Sequence, residues 1–482
     1  MVNYDKYEKV IGLEIHVRIK SKTKMFCSCK NAIELASEPN ENVCPICMWF
    51  PGMLPELNKE VVRLGLIWGM AMNCEVNKVS RFDRKTYFYP DNPNSYQITQ
   101  MYEPIVGKWK VKVLVWDELK EFSIHHMHLE NDAWKLIHAG GKTLCDYNRA
   151  GSPLMEIVTD PVFHEKEEVM EFLKELQKIF RACWVSDADM EKWQLRCDVN
   201  LSVNLKWAKE FWTRTETKNV NSFSAIGRVI DHEFKRQVKI LESGWQVEQE
   251  TRWWNDDTWT STTQRSKEDA MDYRYFPEPD LLPIELDDEF IEEARAQIPE
   301  LPIEKRLRYL KDYKLAWDDA RLLTTDRELS EYFDELVKLT NDPKKSCSYI
   351  TTVLLALMKE DDDVNKMSDL RFDIKELARV IELVNNDELS STNSKQVVEE
   401  LFKNWWKADI IVDENNLRQK NDTEEMEKIV DEVLKNNSSQ VEEYKSWKEN
   451  LFWFFVGQCM KASKWQWNPK IFNKLLKEKL SK

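Results

Sequence analysis

Two short stretches of this chain place acids and imidazoles at every second position. The first, residues 10–19, reads Val-Ile-Gly-Leu-Glu-Ile-His-Val-Arg-Ile. Side chains of a strand alternate between its two faces, so Ile11, Leu13, Ile15, Val17 and Ile19 form an apolar face. Glu14, His16 and Arg18 share the other. Residues 124–132 repeat the pattern with His126, His128, Glu130 and Asp132. Side by side in one sheet, the two stretches gather carboxylates and imidazoles into one cluster. Carboxylates held close together repel unless a proton or cation lies between them, and a magnesium ion shared with a nucleotide meets that need. A solvated sheet face explains either stretch alone equally well; two in one chain favour chemistry.

A second constellation is Cys27-Ser-Cys29 with Cys44-Pro-Ile-Cys47. Two close pairs separated by a loop suit a closed tetrahedral zinc site of structural type, the plainer alternative being four buried thiols. The other six cysteines are scattered and read as packing residues. Gly140-Gly141-Lys142-Thr143 resembles the end of a phosphate-binding loop, but Leu136 stands where the first glycine belongs, so a turn is the better reading. The segment 81–97 is dense in cations and phenols, among them Arg84, Lys85, Tyr87 and Tyr89. Such residues can hold phosphates and stack on bases, or simply form an ordered loop. Asn148 and Arg149 occupy a polar turn before an apolar strand, and Arg196, Asp198 and Asn200 again alternate onto one face.

The elements that must position these residues follow from pattern and composition. At 482 residues, with 42% apolar and 32% charged residues, the chain has room for two to four domains and an ample core. Residues 1–290 carry short alternating runs, Pro/Asn/Asp turns and a helix over 165–183, an α+β texture. From about 287 the pattern becomes amphipathic helix, predicted over 292–297, 304–313, 318–323 and 328–339, with a break at Pro299–Pro302. A helical domain over 291–405 and a helical tail over 406–482 complete the predicted order. The net charge of −15 argues against indiscriminate nucleic-acid binding. The last 22 residues reverse that sign, with seven Lys against one acid. The N-terminus does not read as a signal peptide, no apolar run approaches membrane-spanning length, and the cysteine usage fits a reducing cytoplasm.

One compositional feature is abnormal. The chain holds 11 Gly against 20 Trp, where glycine ordinarily makes up about 7% of residues. Several Trp stand where a turn would want glycine, among them Trp49, Trp245, Trp253 and Trp259. A left-handed backbone costs a residue with a Cβ about 1–2 kcal/mol. The excess predicts that many of these tryptophans are glycines in the native protein, from a gene in which UGA is read as glycine.

Taken together, the motifs resemble a known family. Gly-Leu-Glu-Ile-His at 12–16, Phe-Pro-Gly at 50–52, Tyr-Phe-Tyr-Pro-Asp at 87–91 and His-Leu-Glu-Asn-Asp-Ala at 128–133 are similar to the B subunits of bacterial Asp/Glu-tRNA amidotransferases, the GatB family. So are the runs at 148–154, 195–200, 218–223, 272–280 and 456–461, in order and nearly end to end. Where that family has Gly, this chain has Trp at 49, 134, 184, 193, 212, 253, 453 and 465.

The resemblance implies a cradle-shaped mixed α/β catalytic domain, a helical domain and a helical tail that reaches tRNA. It implies a ligase that phosphorylates the side-chain carboxylate of Glu or Asp misattached to tRNA(Gln) or tRNA(Asn), using ATP and Mg²⁺. Ammonia from a glutaminase A subunit then displaces the phosphate, within a heterotrimer that also contains a small C subunit. Glu14, His16, Glu130 and Asp132 are the expected catalytic residues, with Glu14, His16 and Glu130 on magnesium. Lys85, Arg149, His128, Tyr89, Asn148 and Arg196 are expected on ATP or substrate, and Lys461, Lys464, Lys470 and Lys474 on tRNA. Two other readings compete. The glutaminase itself is disfavoured, because Ser390-Ser391 and Ser438-Ser439 lack that enzyme's Gly-rich setting and lysine. A non-catalytic tRNA-binding adaptor would share the motifs without turning over ATP.

Overall fold

The computed structural model describes residues 2–481 apart from 32–35, 93, 117, 209–211, 267–271, 420–422, 446–450, 464–466 and 468. The chain divides into two compact units, Met1–Lys305 and Arg306–Lys482.

The first unit is built on an eight-stranded sheet. Its strands are β1 (Tyr7–Arg18), β2 (Trp109–Val115), β3 (Glu118–Asn131), β4 (Pro153–Thr159), β5 (Leu195–Leu205), β6 (Thr215–Lys218), β7 (Glu250–Asn255) and β8 (Thr260–Ser266). They lie in the order β8-β7-β6-β5-β1-β4-β3-β2, antiparallel except for the β6–β7 pair. The alternation read in β1 holds: Ile11, Leu13, Ile15, Val17 and Ile19 are all buried. Met127, Leu129, Met155, Ile157, Cys197 and Val199 are buried in the same way on neighbouring strands.

Three helices pack on the sheet. The helix α1 (Lys59–Ala71) meets β3, α2 (Lys166–Ala182) meets β2, and α3 (Phe223–Glu242) meets β5. Gly65 permits the first of these contacts, since a Cβ there would come within 3.2 Å of Leu129 Cδ2. The 3.6-residue period of α2 buries Val169, Phe172, Leu173, Leu176, Ile179 and Phe180. At its start the Glu168 carboxylate accepts from the backbone N–H groups of His164 and Glu165, satisfying donors a helix leaves open. Gly140 and Gly141, both left-handed, turn the hairpin between the strands Lys135–Ala139 and Lys142–Asp146. The phosphate-loop resemblance at this point is therefore a turn.

A three-stranded sheet of Phe276–Pro277, Asp83–Thr86 and Tyr96–Thr99 is tied to the end of β3. The Asn131 side chain accepts from Ile98 N at 2.8 Å, and Gln97 Nε2 donates to Asn131 O at 2.8 Å. That tie brings Lys85 to the site face.

The second unit is helical, with two hydrophobic cores. Helices from Pro302–Lys311 to Ala408–Glu414 build the first, around Phe333, Leu336, Ile350, Leu377, Ile381 and Val398. The predicted helices at 304–313, 318–323 and 328–339 appear here as Pro302–Lys311, Trp317–Leu323 and Arg327–Thr340. The one predicted at 292–297 starts earlier, as Asp288–Arg295, because Asp287 caps it by accepting from Phe290 N. Helices Thr423–Asn436, Ser438–Lys445, Leu451–Ala462 and Pro469–Leu480 surround the second core, with Met426, Val430, Phe455, Cys459 and Phe472. Ser390 and Ser438–Ser439 belong to helix starts; Ser390 Oγ caps by accepting from Asn393 N. No helix among the described residues is long and apolar enough to cross a membrane.

Candidate active site

The face of the sheet opposite α1–α3 is polar across five adjacent strands. In register, His16 on β1 lies beside Glu156 on β4, and Glu156 lies beside His128 on β3. On the other side of β1, Glu14 is opposite Asp198 and His16 opposite Arg196, both on β5. Paired residues of an antiparallel ladder project to the same side. The two acid-bearing stretches are therefore not neighbours: β4 lies between them, and its one carboxylate joins them.

Glu156 is the centre of the cluster. His16 Nε2 and His128 Nε2 each lie 3.3 Å from Glu156 Oε2. His16 Nε2 is also 3.6 Å from Glu130 and 3.8 Å from Glu14, and His128 Nε2 is 3.8 Å from Glu130. Burial pulls both imidazole pKa values down, but the acids outweigh it, Glu156 first, and raise His16 to about 9 and His128 to about 10. For Glu156 the order reverses: burial raises it, yet the two imidazoles hold it well below the usual carboxylate range. Glu14 is pushed up, by burial first and then by Glu156. Lys85 faces the same acids, and Glu156, Glu130, Tyr275 and Glu14 raise its pKa against burial. Glu130 Oε2 is buried with no hydrogen-bond donor within bonding distance, His128 Nε2 standing 3.8 Å away. A carboxylate oxygen left so costs free energy unless a cation completes its surroundings.

The expected residues divide between two zones. Glu14, His16, His128, Glu130 and Lys85 meet around Glu156. Asp132, just past the end of β3, instead faces Arg149 Nε at 3.5 Å and Arg196 Nη2 at 3.4 Å. Burial raises the Asp132 pKa, but Arg149 and Arg196 lower it further, so the net shift is downward. Arg149 also donates to the carbonyls of Ala133 and Trp134. Tyr89 is exposed on its loop. His126 follows a bulge in β3 and pairs opposite Val158. Burial, His128 and His125 lower its pKa to about 4, so it stays neutral near pH 7.

Asn148 is buried and holds a loop: Asn42 N donates to its Oδ1 at 2.9 Å, and its Nδ2 donates to Glu38 O at 2.8 Å. That loop leads into the cysteine pairs. Sulfur atoms of Cys27, Cys29, Cys44 and Cys47 all lie within 4.8 Å of one another, close to the ~3.8 Å edges implied by zinc–sulfur bonds of about 2.3 Å. Cys44 N donates to Cys47 Sγ at 3.2 Å. A hydrogen bond from Cys27, with help from the buried Lys24 ammonium, lowers the Cys47 pKa to about 5, and the same hydrogen bond raises Cys27 well above the ordinary thiol value, while burial raises Cys29 to about 12. The four cysteines fit a structural zinc ion.

Sequence pattern does not single out Glu156, Glu216 or Lys218. Glu156 is detectable as the lone acid in the apolar run 153–159. Glu216 and Lys218 alternate on β6, where Lys218 Nζ bonds Asp198 and lies 3.0 Å from Glu216. Glu14, Asp198 and Glu216 thereby form a further acidic group beside the first.

In the tail, Lys461 and Lys474 are exposed, Lys470 pairs with Asp387 at 2.8 Å, and Lys464 lies outside the described residues.

Comparison with known proteins agrees in extent with this layout. Residues 9–292 match the model of the GatB/GatE catalytic domain, and residues 331–480 match that of the GatB domain. The chain is 43% identical over 475 residues to a Persephonella marina protein named as the B subunit of aspartyl/glutamyl-tRNA(Asn/Gln) amidotransferase, covering 98% of this chain and 99% of that one. Proteins of the same name are 43% identical in Caldicellulosiruptor bescii and 42% in Lachnoclostridium phytofermentans, each over 99% of both chains.

Proposed function

The chain belongs to the GatB family, and from that premise we propose that it is the phosphorylating component of a tRNA-dependent amidotransferase. Its substrates are Glu-tRNA(Gln), Asp-tRNA(Asn) or both, its co-substrates ATP and ammonia. It works in the cytoplasm as a heterotrimer with a glutaminase A subunit, which releases the ammonia, and a small C subunit.

In the first step an oxygen of the Glu or Asp side chain attacks the γ-phosphorus of ATP, and ADP leaves. In the second, ammonia attacks the resulting acyl carbon, the amide forms and phosphate leaves. Phosphoryl transfer asks a protein mainly for positioning and charge neutralisation. Lys85, Arg149 and Arg196 hold phosphate oxygens or the acyl group, and Asp132 orients the two guanidiniums. His16 and His128, protonated on Nε2, keep Glu156 ionised and oriented at the centre of the site. Glu156 lies close to Glu130 on one side and to Glu14 on the other, so either pair would offer a magnesium ion the oxygens it prefers, and when bound that ion would supply neutralisation of the phosphate charge. Tyr89, exposed on its loop, is available to stack on a base of the substrate. Asn148 acts on the site indirectly, through the loop it clamps.

The observation that carries this reading is the buried, undonated Oε2 of Glu130 among Glu14, Glu156 and Lys85. Its test is Glu130→Gln, which keeps the shape and removes the charge. A metal contributes several kcal/mol, and each 1.36 kcal/mol is tenfold in rate, so ammonia-dependent turnover should fall about a hundredfold or more. Binding of tRNA should be nearly unchanged. Near-normal turnover would place the catalytic cation elsewhere, and absence of any ATP consumption by the unaltered complex would favour the adaptor reading.

A further inference from the structure

Among the described residues, six tryptophans have left-handed backbones: Trp49 (φ 54°), Trp116 (46°), Trp184 (56°), Trp193 (57°), Trp259 (53°) and Trp405 (60°). They are 6 of the 18 tryptophans among the described residues, a share comparable to the 5 of 11 glycines that are left-handed. A bulky residue with φ above zero is an outlier in any protein, whereas Asn and Asp, which supply six of this chain's other cases, tolerate it.

Each of the six stands where turn chemistry asks for glycine. Trp184 follows α2 by two residues; its N–H bonds Arg181 O at 3.2 Å, and Val185 N bonds Phe180 O at 3.0 Å. Those paired bonds are the helix-ending motif whose left-handed position is usually glycine. Trp193 has the same bond pair in a turn that follows no helix, with Trp193 N to Met190 O at 3.1 Å and Gln194 N to Asp189 O at 2.8 Å. Trp405 ends the helix Ser391–Asn404 by the single-bond version, Trp405 N to Leu401 O at 3.1 Å. Trp116 occupies the two-residue connection between β2 and β3, where a tight hairpin wants positive φ. Trp259 turns β7 into β8, and Trp49 closes the knuckle after Cys47 with Trp49 N to Ile46 O at 2.9 Å. Five of the six indoles are at least half exposed and so gain little from burial.

We propose that these six positions are glycine in the protein as its cell makes it, encoded by UGA triplets read as glycine. Residues whose indoles are packed are outside the proposal. Trp254, fully buried with Nε1 bonded to Asp256, is tryptophan.

Fragment-ion sequencing of peptides from the native protein tests the identity directly: glycine is expected at 49, 116, 184, 193, 259 and 405, with tryptophan at 254. Tryptophan at these six would overturn the proposal. The conformational ground is tested on two full chains made in a host that decodes both designs unambiguously. The chain with all six Trp→Gly changes should melt about 10 °C or more above the chain with six tryptophans, while adding Trp254→Gly should lower its melting point. Failure of the tryptophan chain alone to fold counts with the first result, and an equal or lower melting point for the glycine chain would remove that ground.

Discussion

His16 and His128 are held protonated by acids that, in the proposed mechanism, must also receive a divalent cation. The two kinds of positive charge therefore compete. Both imidazoles have folded-state pKa values, about 9 and about 10, above the ordinary 6.5. Their contribution to stability is fully present below about pH 6.5 and is lost as pH rises through 9 and 10. Thermal melting of the metal-free protein should accordingly fall between pH 7 and 10, and Mg²⁺ should restore more of it at the upper end. Affinity for Mg²⁺, measured by calorimetry, should rise over the same interval, because protons and the ion share the same acids. A pH-independent affinity would separate the imidazoles from the cation site. Glu156 supplies a second test at this scale. Glu156→Gln removes the anion that both imidazoles share, so a loss of turnover at least as large as that from Glu130→Gln is expected. A loss smaller than tenfold would make Glu156 a structural residue.

Among the elements, the cysteine knuckle and the loop bearing Arg149 form one device. Residues 38–42 bond to 145–148 through Asn40, Asn42 and Asn148, so whatever fixes the knuckle also fixes Arg149. Zinc analysis of the purified protein should give one ion per chain. Cys44→Ser should lose that ion, lower the melting point and raise KM for aminoacyl-tRNA while leaving tRNA's affinity for the tail intact. An unchanged melting point with no zinc in either protein would mean four ordinary thiols. Much at this scale is legible in the sequence, because period-two and period-3.6 patterns report directly on burial: β1, α2 and the helices over 302–340 follow them. Sheet order is not legible. Nothing in β1 or β3 says that β4 lies between them, so the pattern hides the cluster's centre, Glu156, even though its strand is apparent. Alternation puts Asp132 on the acidic face, and there it meets Arg196, which projects to the same side of the sheet as His16, together with Arg149; what alternation does not show is that these two guanidiniums are its partners.

At the scale of the whole molecule, an acidic chain of net charge −15 must meet a polyanion through a restricted surface. The proposed surface is the tail, and the packing shows how to remove it. Helix Ala408–Glu414 belongs to the first helical core through Ala408, Ile411 and Val412, whereas the second core begins at Met426. Deleting 423–482 therefore spares the first core. That truncation should raise KM for aminoacyl-tRNA strongly and flatten the salt dependence of binding by roughly one unit for every phosphate the tail no longer engages. Unchanged affinity and slope would leave the tail as a structural cap. The central claim, that this chain makes an acyl phosphate on misacylated tRNA, is met most directly by measuring ADP formation in the reconstituted complex, with hydroxylamine supplied as trap. The account predicts ADP only when Glu-tRNA(Gln) or Asp-tRNA(Asn) is present, accompanied by an equal amount of the side-chain hydroxamate. ADP formed equally without misacylated tRNA, or no ADP and no hydroxamate with it, would contradict the account.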